Sequence, residues 1–547
     1  MSGPEQPMRD KAPIDVVRVP KPRRPVSPEP LVAVPSDVLV RYNARVLDPT
    51  TAMQVAGQRP IRPTVYVADR LIVSSASDAD VRGALEEATR RFGLQLVGDD
   101  PQRALRAAEV ARRADRPLNA PYRVRLVPNS AAATAAPDAW SVLQTFRGLI
   151  GRDSIGQRQV ALDHLLSSAG GPDIGGSPFV LGHSIGGSPF VLGHGVGGSP
   201  FVLGHGIGSS EYGVPGWGGR QPVNWTGTPP QRNERLGNRR PVVAILDTGI
   251  GEHSWLPPEI VNLEPAVLTI PIANPELTGV TGNPYEGELD PDAGHGTFIA
   301  GLIRQRCPDA DILAVQVMGG DGVVAESNLL DVLHLLALRQ ELAVEGNEPS
   351  GVIDVLSLSL GYYHEQPDDL TFDPHLLVPL QKLGRLGVAV VVAAGNDSTD
   401  RPMYPAAFTP WAGGPVTAPD KDCLPVISVG ALNPNGTIAL FSNAGGWVSC
   451  HRPGAALVST YPTTINAAQQ AAVATTVPTE NALRSTIDPD DFASGFAVWS
   501  GTSFAGPVLA GEIAAQLCRV DLSAVDAGAA VSRGWAAVAG LVKELHP

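Results

Sequence analysis

Three short stretches hold residues that a hydrophobic core has no use for. They are Asp247-Thr-Gly at the end of an apolar run, His295-Gly-Thr at the head of a helical pattern, and Gly-Thr-Ser503-Phe-Ala-Gly-Pro at the head of another. A serine hydroxyl is a poor nucleophile until an adjacent imidazole removes its proton. The imidazole in turn needs a carboxylate on its other ring nitrogen, which fixes the tautomer and stabilises the imidazolium without taking the proton itself. Ser503 opens the apolar stretch FAGPVLAGEIAAQLC, so its hydroxyl falls at a helix N-terminus, where unpaired N–H groups and the positive dipole end favour negative charge. A fourth group, Asn396 in AAGN, follows the run VAVVV and can aim an amide at a tetrahedral oxyanion.

These groups need a rigid frame. PVVAILD, DILAVQVM, VIDVLSLSL, GVAVVVAAG and LPVISVG are apolar runs of strand length, and between several of them lie helical patterns such as SNLLDVLHLLALRQEL and PHLLVPLQKLGRLG. Near-continuous Val/Ile/Leu runs mean strands buried on both faces, and their alternation with helices means a mostly parallel sheet flanked by helices, an α/β fold. Ligand sites in such sheets lie beyond the carboxyl ends of the strands, where Asp247 and Asn396 fall. Glycines 501 and 506 permit close backbone approach around Ser503, and Pro507 is read as a first-turn proline, where a missing N–H costs little.

The catalytic part resembles the subtilisin-like serine endopeptidases, the subtilases. The segments VAILDTGI, GHGTFIAGLI, SLSLG, VVVAAGND, YPA, VISVGAL, FSNAGGWV, PGAALVST and SGTSFAGP occur in the family's order between residues 241 and 510. The chain order Asp, His, Ser is also that of subtilisin. The resemblance implies that Asp247 orients, His295 is general base and then acid, and Ser503 attacks the carbonyl and forms an acyl-enzyme. Asn396 and the Ser503 backbone N–H would form the oxyanion hole. It further implies that Ser359, Leu360 and Gly361 pair with an extended peptide, and that Ala393, Ala394 and Gly395 form the opposite wall of the pocket for the residue before the scissile bond. The sedolisins, which carry an acidic residue in place of the histidine, are the poorer match because HGT is intact.

Several positions depart from the family pattern. Met403 stands before Tyr404-Pro405, where subtilisins often have a small pocket-floor residue; pointing inward, it would make the pocket shallow. Phe298 replaces the second histidine of GHGTH and is expected to change packing only. Residues 463–498 form an insertion, Ala/Thr-rich and then acidic, that would lie over the cleft as a lid or stay disordered. His253 and His451 read as loop residues facing solvent, and His334 and His375 as helix-pattern residues that face the surface or satisfy local hydrogen bonds. Calcium is common in the family as a structural ion, yet no contiguous acidic loop has convincing ligand spacing, so no metal is assigned and no cofactor is expected to be required.

The chain has 547 residues, which at about 150 residues per domain suggests two to four folded units. Hydrophobic residues at 43% and charged residues at 18% exclude a wholly disordered chain, while Gly 59 and Pro 51 call for long loops. The formal charge of −14 offers nucleic-acid phosphates nothing to bind globally. Residues 1–60 read as a disordered Pro-rich leader, with nine prolines in the first 35. Residues 61–130 read as a small α+β unit, with strands at VYVADRLIVSS, LQLVG and YRVRLVP and a helix in VRGALEEATRRFG; by order and position it resembles a subtilase propeptide, a folding template and intramolecular inhibitor. Residues 131–170 read as a weakly helical connector, 171–210 as a spacer, 211–240 as a linker and 241–547 as the catalytic domain. The spacer repeats an 11-residue unit, IGGSPFVLGHS, IGGSPFVLGHG and VGGSPFVLGHG, each with one histidine (His183, His194, His205). It reads as a flexible low-complexity segment, a less favoured alternative being a metal-binding or partner-binding peptide.

Cys307, Cys423, Cys450 and Cys518 fall at no metal-ligand spacing and read as buried free thiols. The N-terminal sequence shows no secretory pattern and no apolar run reaches membrane-helix length, so the expectation is a cytoplasmic chain with no membrane partner, unless a non-standard route exports it. Two functions compete at this point. One is a soluble endopeptidase acting on proteins or peptides, latent until its N-terminal region is cut. The other is a catalytically silent scaffold that keeps the fold and holds peptides.

Overall fold

The computed structural model describes residues 34–55, 60–74, 79–98, 115–116, 120–129, 136–151, 154–168, 212, 218–237, 239–263, 275–280, 285, 287–366, 375–477, 482–543 and 545. The 11-residue repeats, the first 33 residues and the Ala/Arg-rich stretch before residue 115 lie outside them.

The N-terminal unit is an antiparallel sheet built from β1 (Ala44–Val46), β2 (Val65–Val73), β3 (Leu94–Gly98), β4 (Tyr122–Pro128) and β5 (Val160–Ser168), in the order β5-β2-β4-β3 with β1 also on β2. Two helices cover one face. Ala79–Arg91 buries Val81, Leu85 and Ala88, and Ala139–Ile150 buries Trp140, Leu143 and Phe146, so the periodic apolar positions of both meet a core that includes Leu71, Leu126 and Leu162. Three boundaries expected from sequence are corrected here. The leader ends well before residue 60, because Ser36–Arg41 is helical and Ala44–Val46 joins the sheet. The stretch read as a connector instead supplies a core helix and the fully integrated strand β5. Phe92, counted in the helical pattern, lies past the helix end and is exposed.

The larger unit begins with β6 (Gln221–Pro222) and is organised on β7 (Val242–Asp247), β8 (Val261–Leu263), β9 (Asp311–Gln316), β11 (Val355–Leu358), β13 (Ala389–Ala393), β14 (Val426–Leu432) and β15 (Cys450–Pro453). They form one parallel sheet in the order β15-β14-β13-β11-β7-β9-β8. One face carries the helices His295–Arg306 and Thr502–Leu517, packed on each other in a core with Phe298, Ile303, Phe504 and Leu509. The other carries Glu326–Gly346 and Leu377–Arg385, with Leu333, Leu336, Leu380 and Leu383 on the opposite side chains of the same strands. This is the α/β architecture that the buried apolar runs required.

Two short strands, β10 (Val323–Ala325) and β12 (Leu360–Gly361), belong to the larger unit but pair with β5. Leu165, Leu166 and Ser167 oppose Ala325, Val324 and Val323, while Ser167 and Ser168 oppose Gly361 and Leu360. The N-terminal sheet therefore continues, through one shared strand, into the larger unit.

The remaining strands correct two further expectations. β19 (Phe496–Trp499) pairs with β16 (Leu457–Thr460) on one side and with β6 on the other, so the presumed linker is built into the domain. Arg220 is buried, donating to the carbonyls of Asp290, Pro291 and Ala293 and lying 4.9 Å from the Trp499 ring centroid. The 463–498 insertion is anchored by buried Ile465 and Phe492, the latter stacked on Tyr461 at 3.9 Å; its hairpin, β17 (Ala474–Val477) with β18 (Ala482–Ser485), is largely exposed to solvent.

Candidate active site

The carboxyl ends of β7, β11 and β13 open on one side of the parallel sheet, and the residues singled out from sequence gather there. Asp247 is the last residue of β7 and accepts a 2.7 Å hydrogen bond from His295 Nδ1. Both side chains are buried. His295 begins its helix, whose N-cap is Gly294 at φ +80; a Cβ there would collide with the Tyr461 ring. The imidazole packs against Phe504 at 5.2 Å and Trp499 at 5.7 Å, leaving Nε2 as its only ring nitrogen not taken by Asp247. Burial pushes the His295 imidazole down, but the Asp247 charge and hydrogen bond, helped by Asp292 and Glu276, more than offset this and leave it above its ordinary value.

A residue absent from the sequence reading ties the two motifs together. Glu276 is fully buried and accepts from Thr248 Oγ1 at 2.6 Å, Thr297 Oγ1 at 2.5 Å and Gly294 N at 3.1 Å. Burial pushes its carboxyl up to about 7 against those three donors. Thr248 and Thr297 are the threonines of Asp-Thr-Gly and His-Gly-Thr, so one carboxylate holds both motifs in register. The signal available in sequence was indirect: two buried hydroxyls with no obvious acceptor.

Ser503 is the second residue of the helix Thr502–Leu517, whose N-cap is Gly501. Its neighbour Thr502 donates from both N and Oγ1 to Asn396 Oδ1, each at 2.8 Å. A backbone N–H can only donate, which fixes the amide orientation and leaves Asn396 Nδ2 as the group able to donate toward substrate. The helix brings Ser503 to the His295 side of the sheet through the Phe504 contact. Among the described residues, the Ser503 hydroxyl makes no hydrogen bond to the imidazole; such bonds often tighten only in the substrate complex.

Pro507 stands in the second turn, not the first. Its missing N–H would have bonded the carbonyl four residues back, which belongs to Ser503. That carbonyl instead accepts from Ser359 Oγ at 2.9 Å. Ser359 thus caps the peptide unit of Ser503 while Leu360 and Gly361, next to it, form the strand edge β12.

Met403 does point inward. It is buried between the two expected pocket walls: a Cβ on Gly361 would lie 2.7 Å from Met403 Cε, a Cβ on Gly395 would strike its sulfur, and Asn443 Nδ2 is 3.9 Å from that sulfur. Ala393 and Ala394 are buried beside Gly395. Phe298 is buried against Phe504 at 4.5 Å, a packing role. His253 is no solvent-facing residue: it is 6% exposed, accepts from Trp255 N, and is pushed down to about 4 by burial. His375 is likewise buried, just before its helix, and His451 is half-buried within β15 rather than in a loop. Cys307 and Cys423 are buried, Cys450 and Cys518 partly so, and all are free thiols, with Cys307 Sγ 3.7 Å from Cys518 Sγ.

The subtilase family model matches residues 238–522, slightly more than half of the chain. The chain belongs to the subtilase family. It is 26% identical over 230 residues to the minor extracellular protease Epr of Bacillus subtilis (strain 168), covering 40% of this chain and 27% of that protein. It is 27% identical over 246 residues to subtilisin BL of Lederbergia lenta, covering 43% and 71%, and 30% identical over 209 residues to the human membrane-bound transcription factor site-1 protease, covering 37% and 15%. The match thus spans from a seventh to less than three quarters of these curated relatives. Among solved structures, a cold adapted subtilisin-like serine proteinase matches 57% of this chain and 87% of its own at 18% identity, with a TM-score of 0.33.

Proposed function

We propose that the chain is a serine endopeptidase that hydrolyses peptide bonds in proteins or peptides through an acyl-enzyme on Ser503. His295 takes the hydroxyl proton and returns it to the leaving amine, and Asp247 holds the imidazole tautomer. Asn396 Nδ2 and the Ser503 N–H stabilise the oxyanion. The relay requires no metal or cofactor. The observation that carries the reading is the buried 2.7 Å Asp247–His295 pair beside the Ser503 helix N-terminus, inside a segment of the subtilase family. The buried Met403 beside Gly361 and Gly395 supports a preference for a small side chain before the cut.

Latency follows from β5. An extended peptide would pair with β10 and β12, and these edges already hold Leu165 to Ser168 of the chain's own N-terminal unit, with Ser168 N donating to Gly322 O at 2.7 Å and Ser168 Oγ to Asp292 at 2.9 Å. The N-terminal unit is further held by Asp163, which accepts from Ser327 N at 2.9 Å and caps the helix Glu326–Gly346 from outside. In this reading activation requires cutting between Ser168 and Arg220. No helix among the described residues is long and apolar enough to cross a membrane, and we place the enzyme in the cytoplasm.

A fluorophosphonate probe tests the hydrolase directly. Label is expected on Ser503, increasing once the N-terminal region is cut, and none on a Ser503→Ala chain. Cut protein that takes no label would instead support the silent scaffold.

A further inference from the structure

The cleft edge that receives β5 ends in a pair of carboxylates from separate elements. Glu326 opens the helix Glu326–Gly346, and Glu365 follows β12 by four residues. Both are about 1% exposed, and between them sits His164 of β5. His164 Nδ1 lies 2.6 Å from Glu326 Oε2 and its Nε2 lies 3.0 Å from Glu365 Oε2. Two acceptor-only groups on both ring nitrogens mean that the ring carries two protons and a positive charge. Its face stacks on Tyr362 at 4.4 Å and 27°. His364, 5.4 Å away, is pushed down to about 3 by burial and stays neutral. A metal ion among His164, His364 and Glu365 would add two charges where Arg147 already lies 3.7 Å from Glu365, so the imidazolium is the better occupant.

We infer that Glu326, Glu365 and the Tyr362 ring form a substrate subsite for a planar or compact cationic side chain, histidine, arginine or lysine, four residues before the one seated at Ser168. This rests on the endopeptidase reading, because it assumes that a substrate follows the path of β5. The position is set by register: Ser168 opposes Leu360, and His164 is four residues upstream on the same strand. Two carboxylates matched to ring or guanidinium donors, with an aromatic face beneath, favour a cation over an apolar or acidic side chain. Buried charge-assisted contacts of this kind decide specificity because the wrong side chain leaves charged groups without their partner.

Two measurements on the full chain separate this inference from the hydrolase reading. The first uses a Ser503→Ala background, so that catalysis plays no part, and follows amide exchange across Leu165–Ser168. His164→Leu is expected to speed exchange about tenfold or more, while His164→Arg retains protection. Glu365→Gln serves as a second route if His164→Leu fails to fold. Equal protection in parent, His164→Leu and Glu365→Gln would overturn the subsite. The second compares, on the active cut protein, peptides copying residues 160–173 with His, Arg or Ala at the position of His164. The basic peptides are expected to show kcat/KM about tenfold higher, the advantage vanishing in Glu326→Gln and Glu365→Gln. Equal turnover of all three peptides overturns the inference. Turnover of none counts against the hydrolase alone, and the exchange result then decides the subsite.

Discussion

The proton inventory around His295 sets what the relay can do. Because Asp247 outweighs burial and holds the imidazole above its ordinary value, the neutral base becomes abundant only at pH above the usual histidine range. The expected kcat/KM profile against pH therefore rises with a midpoint above about 6.5. Asp247→Asn should lower kcat by about 10⁴-fold, through loss of the tautomer, and move that midpoint downward, which a pH–rate series would show. Asp247, His295, Ser503 and Asn396 stand out in sequence because each sits in a short motif whose residue types serve no packing purpose, and the structure pairs the first two directly. Glu276 was not. It acts through hydroxyls of two distant motifs, and nothing local to PELT marks a carboxylate that will be buried with three donors.

Among elements, the helix Thr502–Leu517 shows a compensated defect. Pro507 removes a donor in the second turn and Ser359 replaces it from the next strand edge. Ser359→Ala should then cost about 1–3 kcal/mol, the penalty for leaving the buried Ser503 carbonyl unsatisfied. Pro507→Ala, which restores the intrahelical donor, should recover most of that loss. Thermal unfolding of the two single variants and the double variant, in the Ser503→Ala background, checks the coupling, and strict additivity would refute it. The parallel strands and most helices were legible because their apolar runs are long and strongly patterned. Strand β5 was not, since VALDHLLSS mixes two charged groups into an apolar run; it becomes a strand because Asp163 and His164 find partners on another unit. The boundary near residue 60 failed for a similar reason: a three-residue strand such as Ala44–Val46 is specified by its neighbour, not by its own composition.

Across the whole molecule, the union of the two units depends on pH through His164. Burial pushes the imidazole down, but hydrogen bonds to Glu326 and Glu365 raise it to about 10, above its unfolded value of about 6.5. A raised folded value contributes stability that is fully present below about 6.5 and is lost as pH rises through about 10. The groups facing it are Glu326 from its helix, Glu365, neutral His364 and the Tyr362 ring from the segment after β11, with Arg147 of the N-terminal helix behind Glu365. The thermal midpoint of the parent should therefore exceed that of His164→Leu most at about pH 6, the gap closing as pH approaches about 10; a gap independent of pH would contradict the charged clamp. Arg220 has a different consequence. Its guanidinium is pinned under Trp499 by three carbonyls, so a protease trimming the chain from a new end would meet an anchor there. The severed front half would keep its grip by non-covalent contacts alone, while everything from Arg220 onward stays moored to the body.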